Sequence, residues 1–131
     1  MDDLIVDGKK LHADYVDAIN SNDADKVMAL LSEDIVFQVA GEPELAGTAA
    51  VSEWAASFFE AFEAHYTKGQ LAFEASGNLA FDRYSYTVRL VGREDGAVLA
   101  EHGKGTGIFR RGDDGRWLLI VDSWSPDEPA K

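Results

Sequence analysis

The chain has 131 residues, of which 46% are hydrophobic, so its length and composition predict one domain with a single hydrophobic core. Twelve Lys and Arg side chains against 24 Asp and Glu give a formal net charge of -12, which argues against a nucleic-acid partner. The absence of cysteine excludes disulfides, thiol nucleophiles and thiolate metal sites. An acidic N-terminus and the lack of a long apolar segment predict a cytoplasmic protein without a membrane span.

The N-terminal part of the chain predicts two helices. Apolar residues at helical spacing indicate a first helix from Gly8 to about Asn20. A second, shorter helix follows, because Asn22 or Asp23 can accept hydrogen bonds from its free amides, and it is predicted to end near Ser32. The apolar faces of the two helices are formed by Leu11, Tyr15, Ala18 and Ile19 and by Val27, Leu30 and Leu31.

A strand and a third helix are predicted next. Residues 34–39 are mostly β-branched and aromatic and are followed by Gly41 and Pro43, which predicts a strand that runs into a loop. Thr48 is placed to cap the third helix, which has the strongest helical periodicity in the sequence. Its large aromatic face is formed by Val51, Trp54, Ala55, Phe58, Phe59 and Phe62.

From Gln70 onward the hydrophobic period changes from helical spacing to alternation, which predicts strands. The Asp-Gly pairs at 95–96 and 114–115 favour the positive φ angles of tight hairpin turns, so the last three strands are predicted to form a meander. Residues 126–131 contain two prolines and are predicted to form a frayed tail. The predicted strands span 70–76, 79–91, 98–111 and 116–124.

The two turns assign the inward face of this sheet. A two-residue loop at the first turn places Tyr84 opposite Gly107 and Tyr86 opposite Gly105. A two-residue loop at the second turn likewise places alternate residues of the last strand on the same face. A loop of four residues would shift the pairing by two positions and keep each side chain on the same face. The predicted inward residues are Tyr84, Tyr86, Val88, Leu90, Gly103, Gly105, Gly107, Phe109, Leu118, Ile120, Asp122 and Trp124, with Asp82 near the edge.

Three alternating glycines, at positions 103, 105 and 107, lie on this predicted inward face. Glycine is unfavourable inside a strand, so the alternation needs a structural reason. Two interpretations remain open. The missing side chains leave a void for a ligand under the third helix, or the facing tyrosines cover the glycines where the sheet bends.

The residues on the outer face of the sheet predict that two copies of the chain associate. Trp117, Leu119 and Val121 alternate with the inward residues and form an apolar stripe that a monomer would leave in contact with water. This pattern predicts a homodimer that uses the outer face.

The chain resembles a known superfamily over nearly its whole length. The first half is similar to ketosteroid isomerases in Tyr15, the run from Asn20 to Asp25, Leu30-Leu31, Asp34, Gly47-Thr48 and the long third helix. The second half is similar to the polyketide-cyclase-like (SnoaL-like) bacterial branch of the nuclear transport factor two superfamily in Asn78-Leu79-Ala80, Asp114-Gly115-Arg116-Trp117 and Asp122-Ser123-Trp124-Ser125. The resemblance implies an α+β fold: a cone-shaped, curved antiparallel sheet closed by three N-terminal helices (a cystatin-like roll), with an internal pocket and often a dimeric assembly.

The resemblance also implies which catalytic groups are present. Tyr15 matches the tyrosine that stabilises an oxyanion in ketosteroid isomerases. The aspartate that moves the proton in that family falls at Gln38 or Val39, and the second acid falls at Gly107. Because two of the three groups are missing, steroid isomerisation by the usual mechanism is not expected.

Asp122 is the leading functional residue of the sequence. Burial between Ile120 and Trp124 would raise the pKa of its carboxyl group and suit it to general acid or base catalysis together with Tyr15. The alternative is a structural carboxylate that is bonded to a tyrosine hydroxyl or to loop amides. The predicted ligand contacts are Gln38, Trp54, Phe58, Tyr84, Tyr86, Phe109, Ile120 and Trp124.

Two classes of function follow from this pattern. The first is an enzyme without a cofactor that isomerises, cyclises, dehydrates or hydrolyses a small apolar molecule through Asp122 and Tyr15. The second is a non-catalytic ligand-binding or dimerisation module. A metal is not expected, because His12, His65 and His102 lack the spacing of metal-binding motifs.

Overall fold

A computed structural model describes residues 6–128 of the chain. The elements, in chain order, are α1 (Gly8–Asn20), α2 (Ala24–Met28), β1 (Leu31–Val39), β2 (Leu45–Ala46), α3 (Thr48–Ala61), β3 (Phe62–Ser76), β4 (Leu79–Gly92), β5 (Val98–Arg111) and β6 (Trp117–Pro126). Three helices thus pack on a sheet in the predicted α+β cone-like arrangement. None of the helices in the described part of the chain has the length and apolar character needed to cross a membrane.

The six strands form one open sheet in the order β2-β1-β6-β5-β4-β3. Strands β3 to β6 pair antiparallel with their sequence neighbours, and the last three of them form the predicted meander. Strand β1 pairs parallel with β6, so the sheet is mixed rather than wholly antiparallel. The parallel pair brings the N-terminal strand beside the C-terminal strand.

Helix α1 has the predicted bounds and is anchored to the edge strand β3 by two asparagines. The side-chain oxygen of Asn20 accepts from the Tyr66 amide at 2.7 Å, and its amide donates to the Tyr66 carbonyl at 2.9 Å. Asn22 makes the same pair of bonds with Ala64, at 2.7 and 3.0 Å. These bonds satisfy backbone groups at the open edge and hold Tyr15, on α1, above the inward face of the sheet.

The region after α1 differs from the prediction. Asp23 caps α2 as predicted, and its side chain accepts from the Asp25 amide. The helix ends at Met28 rather than near Ser32, because Leu31 already pairs with β6 as the first residue of β1. Strand pairing therefore overrides the local helical pattern.

The boundary between α3 and β3 also differs from the prediction. Gly47 rather than Thr48 occupies the N-cap position, and the Thr48 hydroxyl donates to the Glu33 carbonyl at 3.0 Å. Helix α3 ends at Ala61, and β3 begins at Phe62 instead of residue 70. Phe62 continues the helical spacing of the aromatic face. For this reason the sequence pattern did not indicate that a strand begins there.

The pairing of β4 with β5 is shifted by two residues from the prediction. Tyr84 lies opposite Gly105 and Tyr86 lies opposite Gly103. The shift arises because the hairpin loop contains four residues, 93–96, instead of two. A shift of two residues keeps every side chain on its predicted face.

A β-bulge changes the faces of β6 near its start. Ile108 lies opposite Val121, but Phe109 lies opposite Leu119, so Ile120 is the extra residue in β6. An extra residue in one strand reverses the alternation on one side of it.

Because of the bulge, the outer apolar stripe differs from the prediction. Leu119 is 1% exposed and belongs to the hydrophobic core, and Trp117 packs against that core. Leu118 and Ile120, which were predicted inward, are partly exposed. Beyond the bulge Asp122 lies on the inward face as predicted, opposite Gly107.

The predicted C-terminal tail is partly ordered. Pro126 is the last residue of β6, and the amide of Asp127 donates to the His102 carbonyl at 3.0 Å. The Asp127 carboxylate lies 3.2 Å from the ammonium of Lys104. The remainder of the predicted tail, residues 129–131, lies outside the described residues.

Candidate functional site

A buried carboxylate with two phenolic donors forms the centre of the site. Asp122 is 2% exposed. The hydroxyl of Tyr15, from α1, donates to Asp122 Oδ2 at 2.9 Å, and the hydroxyl of Tyr84, from β4, donates to Oδ1 at 2.7 Å. Both carboxylate oxygens therefore have a protein donor, as a buried polar group requires.

The protonation of this cluster is set mainly by burial. Burial raises the pKa of the Asp122 carboxyl above its ordinary value, while nearby Lys68 and the two phenolic hydrogen bonds oppose the rise. Burial and the adjacent carboxylate also raise the pKa values of Tyr15 and Tyr84. Both phenols therefore stay protonated at neutral pH and act as donors.

Lys68, on β3, places its ammonium among three aromatic rings beside this carboxylate. Its Nζ lies 4.3 Å from the ring centroid of Tyr84, 5.0 Å from that of Tyr15 and 5.5 Å from that of Tyr66. It forms no hydrogen bond or ion pair with any residue that the structure describes. Burial lowers the pKa of its amine, and the nearby carboxylates of Asp122 and Asp82 oppose that change.

A second buried carboxylate lies on the other side of the cluster. His12 Nδ1 and Asp82 Oδ2 are 2.8 Å apart, and Asp82 is 5% exposed. Gln70 donates to Asp82 Oδ1 at 3.1 Å and to the Gly8 carbonyl at 3.0 Å. The other ring nitrogen of His12, Nε2, is buried without a partner among residues 6–128. Such a group is a place where water or a ligand atom fits.

The carboxylate of Asp122 faces a cavity that we call the inner chamber. Its volume is about 40 Å³, which is room for roughly three water molecules. Two aromatic contacts close its wall: Trp54 stacks on Phe58 at 5.3 Å, and Phe37 packs edge-on against Trp124 at 5.3 Å. The lining residues are Tyr15, Ile19, Val27, Phe37, Trp54, Ala55, Phe58, Phe59, Tyr66, Lys68, Tyr84, Tyr86, Asp122 and Trp124.

Two further cavities adjoin the inner chamber. A small cavity of about 10 Å³, close to the size of one water, lies between the two buried carboxylates and is lined also by His12 and Lys68. An open lateral groove of about 370 Å³ lies on the other side. Four aromatic residues line both the groove and the chamber: Trp54, Phe58, Tyr66 and Trp124. These side chains separate the chamber from the groove.

The structure brings most of the predicted site residues together. Gln38 is an exception, because it alternates with inward Phe37, is exposed, and donates to Glu44 at 2.8 Å. Ile120 is a second exception, because it is the extra residue of the bulge and does not line the chamber. Phe109 lines the small cavity. The predicted residues that line the inner chamber are Tyr15, Trp54, Phe58, Tyr84, Tyr86, Asp122 and Trp124.

Sequence reasoning missed Lys68 and the buried pair of His12 with Asp82. Strand β3 supplies Lys68, and its first half was not predicted as a strand. The available signal was alternation, since Ala64, Tyr66 and Lys68 occupy every second position after the start of β3.

The glycine stripe is covered by tyrosines. A Cβ at Gly105 would overlap the hydroxyl oxygen of Tyr84, and a Cβ at Gly103 would lie 2.7 Å from the phenol of Tyr86. Of the two interpretations of the stripe, the covering of the glycines by tyrosine rings matches the structure at these positions. The void lies farther from the sheet, under α3.

Comparisons with known proteins define the class of this fold. A ketosteroid isomerase-like protein from Erwinia carotovora atroseptica superposes with a TM-score of 0.84 at 21% identity, covering 92% of this chain and 94% of that one. A provisionally named dehydratase of the NTF2-like family from Streptomyces avermitilis gives 0.82 at 17% identity, covering 92% and 94%. An NTF2-like protein with a cystatin-like fold from Novosphingobium aromaticivorans gives 0.73 at 20%, covering 92% and 80%.

The molecule therefore has the NTF2-like fold, which the sequence resemblance implied. Residues 12–120 match the model of the SnoaL-like domain, and the chain belongs to that family. No match was found among curated proteins. Because the structural relatives are less than 25% identical to this chain, they define its fold and leave its chemistry to be argued from the site.

Proposed function

We propose that the protein binds a small, largely apolar molecule in the inner chamber and that Asp122 transfers a proton to or from it without a cofactor. The observation that supports this most directly is a carboxyl group that is 2% exposed, has a raised pKa and faces an aromatic chamber. A carboxyl group of raised pKa serves as acid or base near neutral pH. Isomerisation, cyclisation, dehydration and hydrolysis all use such a group.

Tyr15 is the proposed second catalytic group. Its hydroxyl donates to Asp122 and lines the chamber, so a small rotation would direct the same proton at a ligand oxygen. A phenol that stays protonated stabilises negative charge as it develops on that oxygen. Tyr84 keeps its hydrogen bond to the other carboxylate oxygen and fixes the orientation of Asp122. The proposed apolar ligand contacts are Trp54, Phe58, Tyr86 and Trp124.

Access to the chamber requires movement of its aromatic wall. A volume of about 40 Å³ is smaller than most metabolites. The lateral groove beside it is open and shares four lining side chains with the chamber. Rotation of Trp54 and Phe58, both on α3 and both partly buried, would join the two spaces.

A ligand that enters in this way should change tryptophan fluorescence. Trp54 and Trp124 line the chamber, whereas Trp117 does not. Titration with apolar aromatic ketones and alcohols should shift the emission of the wild type and of Trp117→Phe, but not that of a Trp54→Phe/Trp124→Phe double variant. Native mass spectrometry of protein from its own cell extract would identify a natural ligand. The absence of both a spectral change and a co-purifying molecule would contradict the proposed pocket.

One observation favours a second candidate, a non-catalytic module. The stacked aromatic wall fills most of the space above the sheet. In this alternative Asp122 is a structural acceptor for the hydroxyls of Tyr15 and Tyr84. The two candidates differ in the effect of Asp122→Asn, which is treated in the Discussion.

We also propose that the protein forms a homodimer through the outer face of the sheet. The supporting residues differ from the predicted stripe, since only Val121 of that stripe faces outward. Val121 pairs with Ile108 on one side and with Val36 on the other, and Ile108 pairs with Phe81. These four partly exposed residues form one apolar row across β4, β5, β6 and β1. A second copy of the chain would cover the row by two-fold symmetry.

If the protein is a dimer, a single charged substitution at the interface should reduce its mass in solution to that of a monomer. Wild-type protein at tens of micromolar concentration should scatter light as a dimer, and Val121→Glu should give the mass of a monomer, because the new carboxylate would be buried at the interface. Thr87→Glu is the matched control, since Thr87 is exposed on the same face of β4 but lies outside the row. A monomeric wild type, or equal masses for the two variants, would contradict the proposal.

A further inference from the structure

We propose that Lys68 forms an imine with an aldehyde or ketone ligand in the inner chamber, with its side-chain amine as the nucleophile. The inference rests on the proposed function in one respect, because the chamber must admit a ligand. It adds a substrate class, apolar carbonyl compounds, and a covalent step to the proton transfer by Asp122.

The placement of Lys68 differs from that of the other lysines. Its side chain lines both the inner chamber and the small cavity. Its Nζ has three aromatic rings around it and no acceptor among the described residues. An amine that lines a cavity and makes no hydrogen bond to the described residues is available to an incoming ligand. Within residues 6–128, the other lysines, Lys9, Lys10, Lys26 and Lys104, are exposed.

Two opposing effects set the state of this amine. Burial favours the neutral amine and lowers the pKa of Lys68, whereas the carboxylates of Asp122 and Asp82 favour the ammonium. The faces of the three phenol rings favour the ammonium as well. Only the neutral amine has the free electron pair that attacks a carbonyl carbon, and lysines in apolar sites are activated in this way. The three phenol rings hold the amine of Lys68 at the wall of the inner chamber. The low polarity of the site increases the fraction of this amine that is neutral and able to react.

Asp122 lines the same chamber as Lys68 and is the group that moves the protons of the proposed reaction. The Lys68 nitrogen bonds to the carbonyl carbon while the carbonyl oxygen takes a proton from the Asp122 carboxyl, and the carboxylate then takes a proton from the nitrogen. The carbinolamine hydroxyl leaves as water after protonation by Asp122, and the resulting iminium returns a proton to the carboxylate. One amine and one carbonyl compound give one imine and one water, and Asp122 ends in its initial state.

The inner chamber selects for the proposed ligand class. Its lining is aromatic and aliphatic apart from the phenols, Lys68 and Asp122. An apolar group would pack on Trp54 and Phe58, which directs the carbonyl end towards the polar cluster of Lys68, Tyr15 and Asp122. A strongly polar carbonyl compound, such as a sugar, would not fit these walls.

Reductive trapping tests the inference directly. Wild-type protein is incubated with 3-phenylpropanal and sodium cyanoborohydride at neutral and alkaline pH, and the reduced adduct is mapped by peptide mass spectrometry. We expect the main adduct at Lys68, with labelling that exceeds that of each exposed lysine by about tenfold for each unit by which its pKa lies lower. Lys68→Met and Lys68→Arg should lose the adduct, and Lys26→Met, at an exposed position, should keep it.

The location of the adduct in the wild type gives a result even if a variant does not fold. Equal labelling of the exposed lysines with none at Lys68 would overturn the inference. A parallel fluorescence titration uses 3-phenylpropan-1-ol, which cannot form an imine. It separates the proposal that the chamber binds a ligand from the proposal that Lys68 forms an imine with it. Binding of the alcohol without an adduct would overturn the imine and leave the pocket, whereas neither binding nor an adduct would overturn both.

Discussion

Asp122→Asn is expected to lower turnover by about 100- to 10,000-fold once a substrate is known, with the fold and ligand affinity retained. The substitution keeps the size of the side chain but removes the group that exchanges a proton. The hydroxyls of Tyr15 and Tyr84 can still hydrogen-bond to the amide, because a hydroxyl both donates and accepts. The loss should therefore fall on kcat and not on KM. Steady-state kinetics of the folded variant provides the measurement.

Asp82→Asn is the matched control for this variant. It also removes one buried carboxylate, but Asp82 is held by His12 and Gln70 and does not line the inner chamber. A catalytic role for Asp122 predicts a much smaller loss of kcat in the control. A structural role predicts instead that Asp122→Asn keeps its activity and loses about 1 to 3 kcal/mol of unfolding free energy. Full activity in a stable variant would exclude Asp122 as the acid or base.

The pH dependence of stability gives a second measure of the same variant. Because burial raises the pKa of Asp122, the folded protein holds this proton more tightly than the unfolded chain does. The stabilisation of the folded state by this proton is complete below the ordinary pKa of aspartate, about 4. It is lost as the pH rises through the raised pKa of Asp122. The unfolding free energy of the wild type should thus fall relative to Asp122→Asn as the pH rises from about 4. Parallel profiles in urea denaturation would contradict a raised pKa.

The sequence predicted the parts of the fold that depend on local signals. Helix α1 and the turns at Gly96 and Gly115 follow from hydrophobic periodicity and from Asp-Gly pairs, and both glycines have positive φ angles. The inward position of Asp122 was predicted from parity, and the longer first loop did not change it, because that loop is longer by two residues. The second loop has three residues, 113–115, and reverses the parity, and the bulge at Ile120 restores it before Asp122. Alternation is a robust property of strands, whereas loop length is not encoded by the turn dipeptide alone.

The features that the sequence did not reveal depend on tertiary contacts. The bulge at Ile120 has no glycine or other local signal, yet it exchanges the faces of Leu118 and Leu119. Phe62 fits a helix as well as a strand, and its pairing with Gly92 decides between them. The partly buried position of Lys68 was not predicted for the same reason, since a lysine in an unassigned segment is expected at the surface.

The glycine at position 105 is required by the hydroxyl that binds Asp122. Gly105 lies opposite both Tyr84 and Trp124, between two neighbouring strands. A Cβ there would overlap the hydroxyl oxygen of Tyr84 and lie 2.8 Å from the Ser123 carbonyl oxygen. The backbone cannot yield at that point without breaking the ladder, so the ring of Tyr84 would have to leave the carboxylate.

Gly105→Ala is therefore expected to lower the free energy of unfolding by about 2 to 5 kcal/mol, through overpacking and loss of a buried hydrogen bond. Gly107→Ala is the matched control. The nearest atom to its Cβ would be the Cδ1 of Leu119 at 3.1 Å, the end of a side chain that has to move by only a few tenths of an ångström. The next atoms lie at 3.8 and 3.9 Å, which is ordinary van der Waals contact. Its stability should stay within about 1 kcal/mol of the wild type. Urea denaturation of both variants measures the difference. Equal midpoints would mean that Tyr84 can leave Asp122 at no cost, and that the covering of the glycines by phenols does not hold this carboxylate in place.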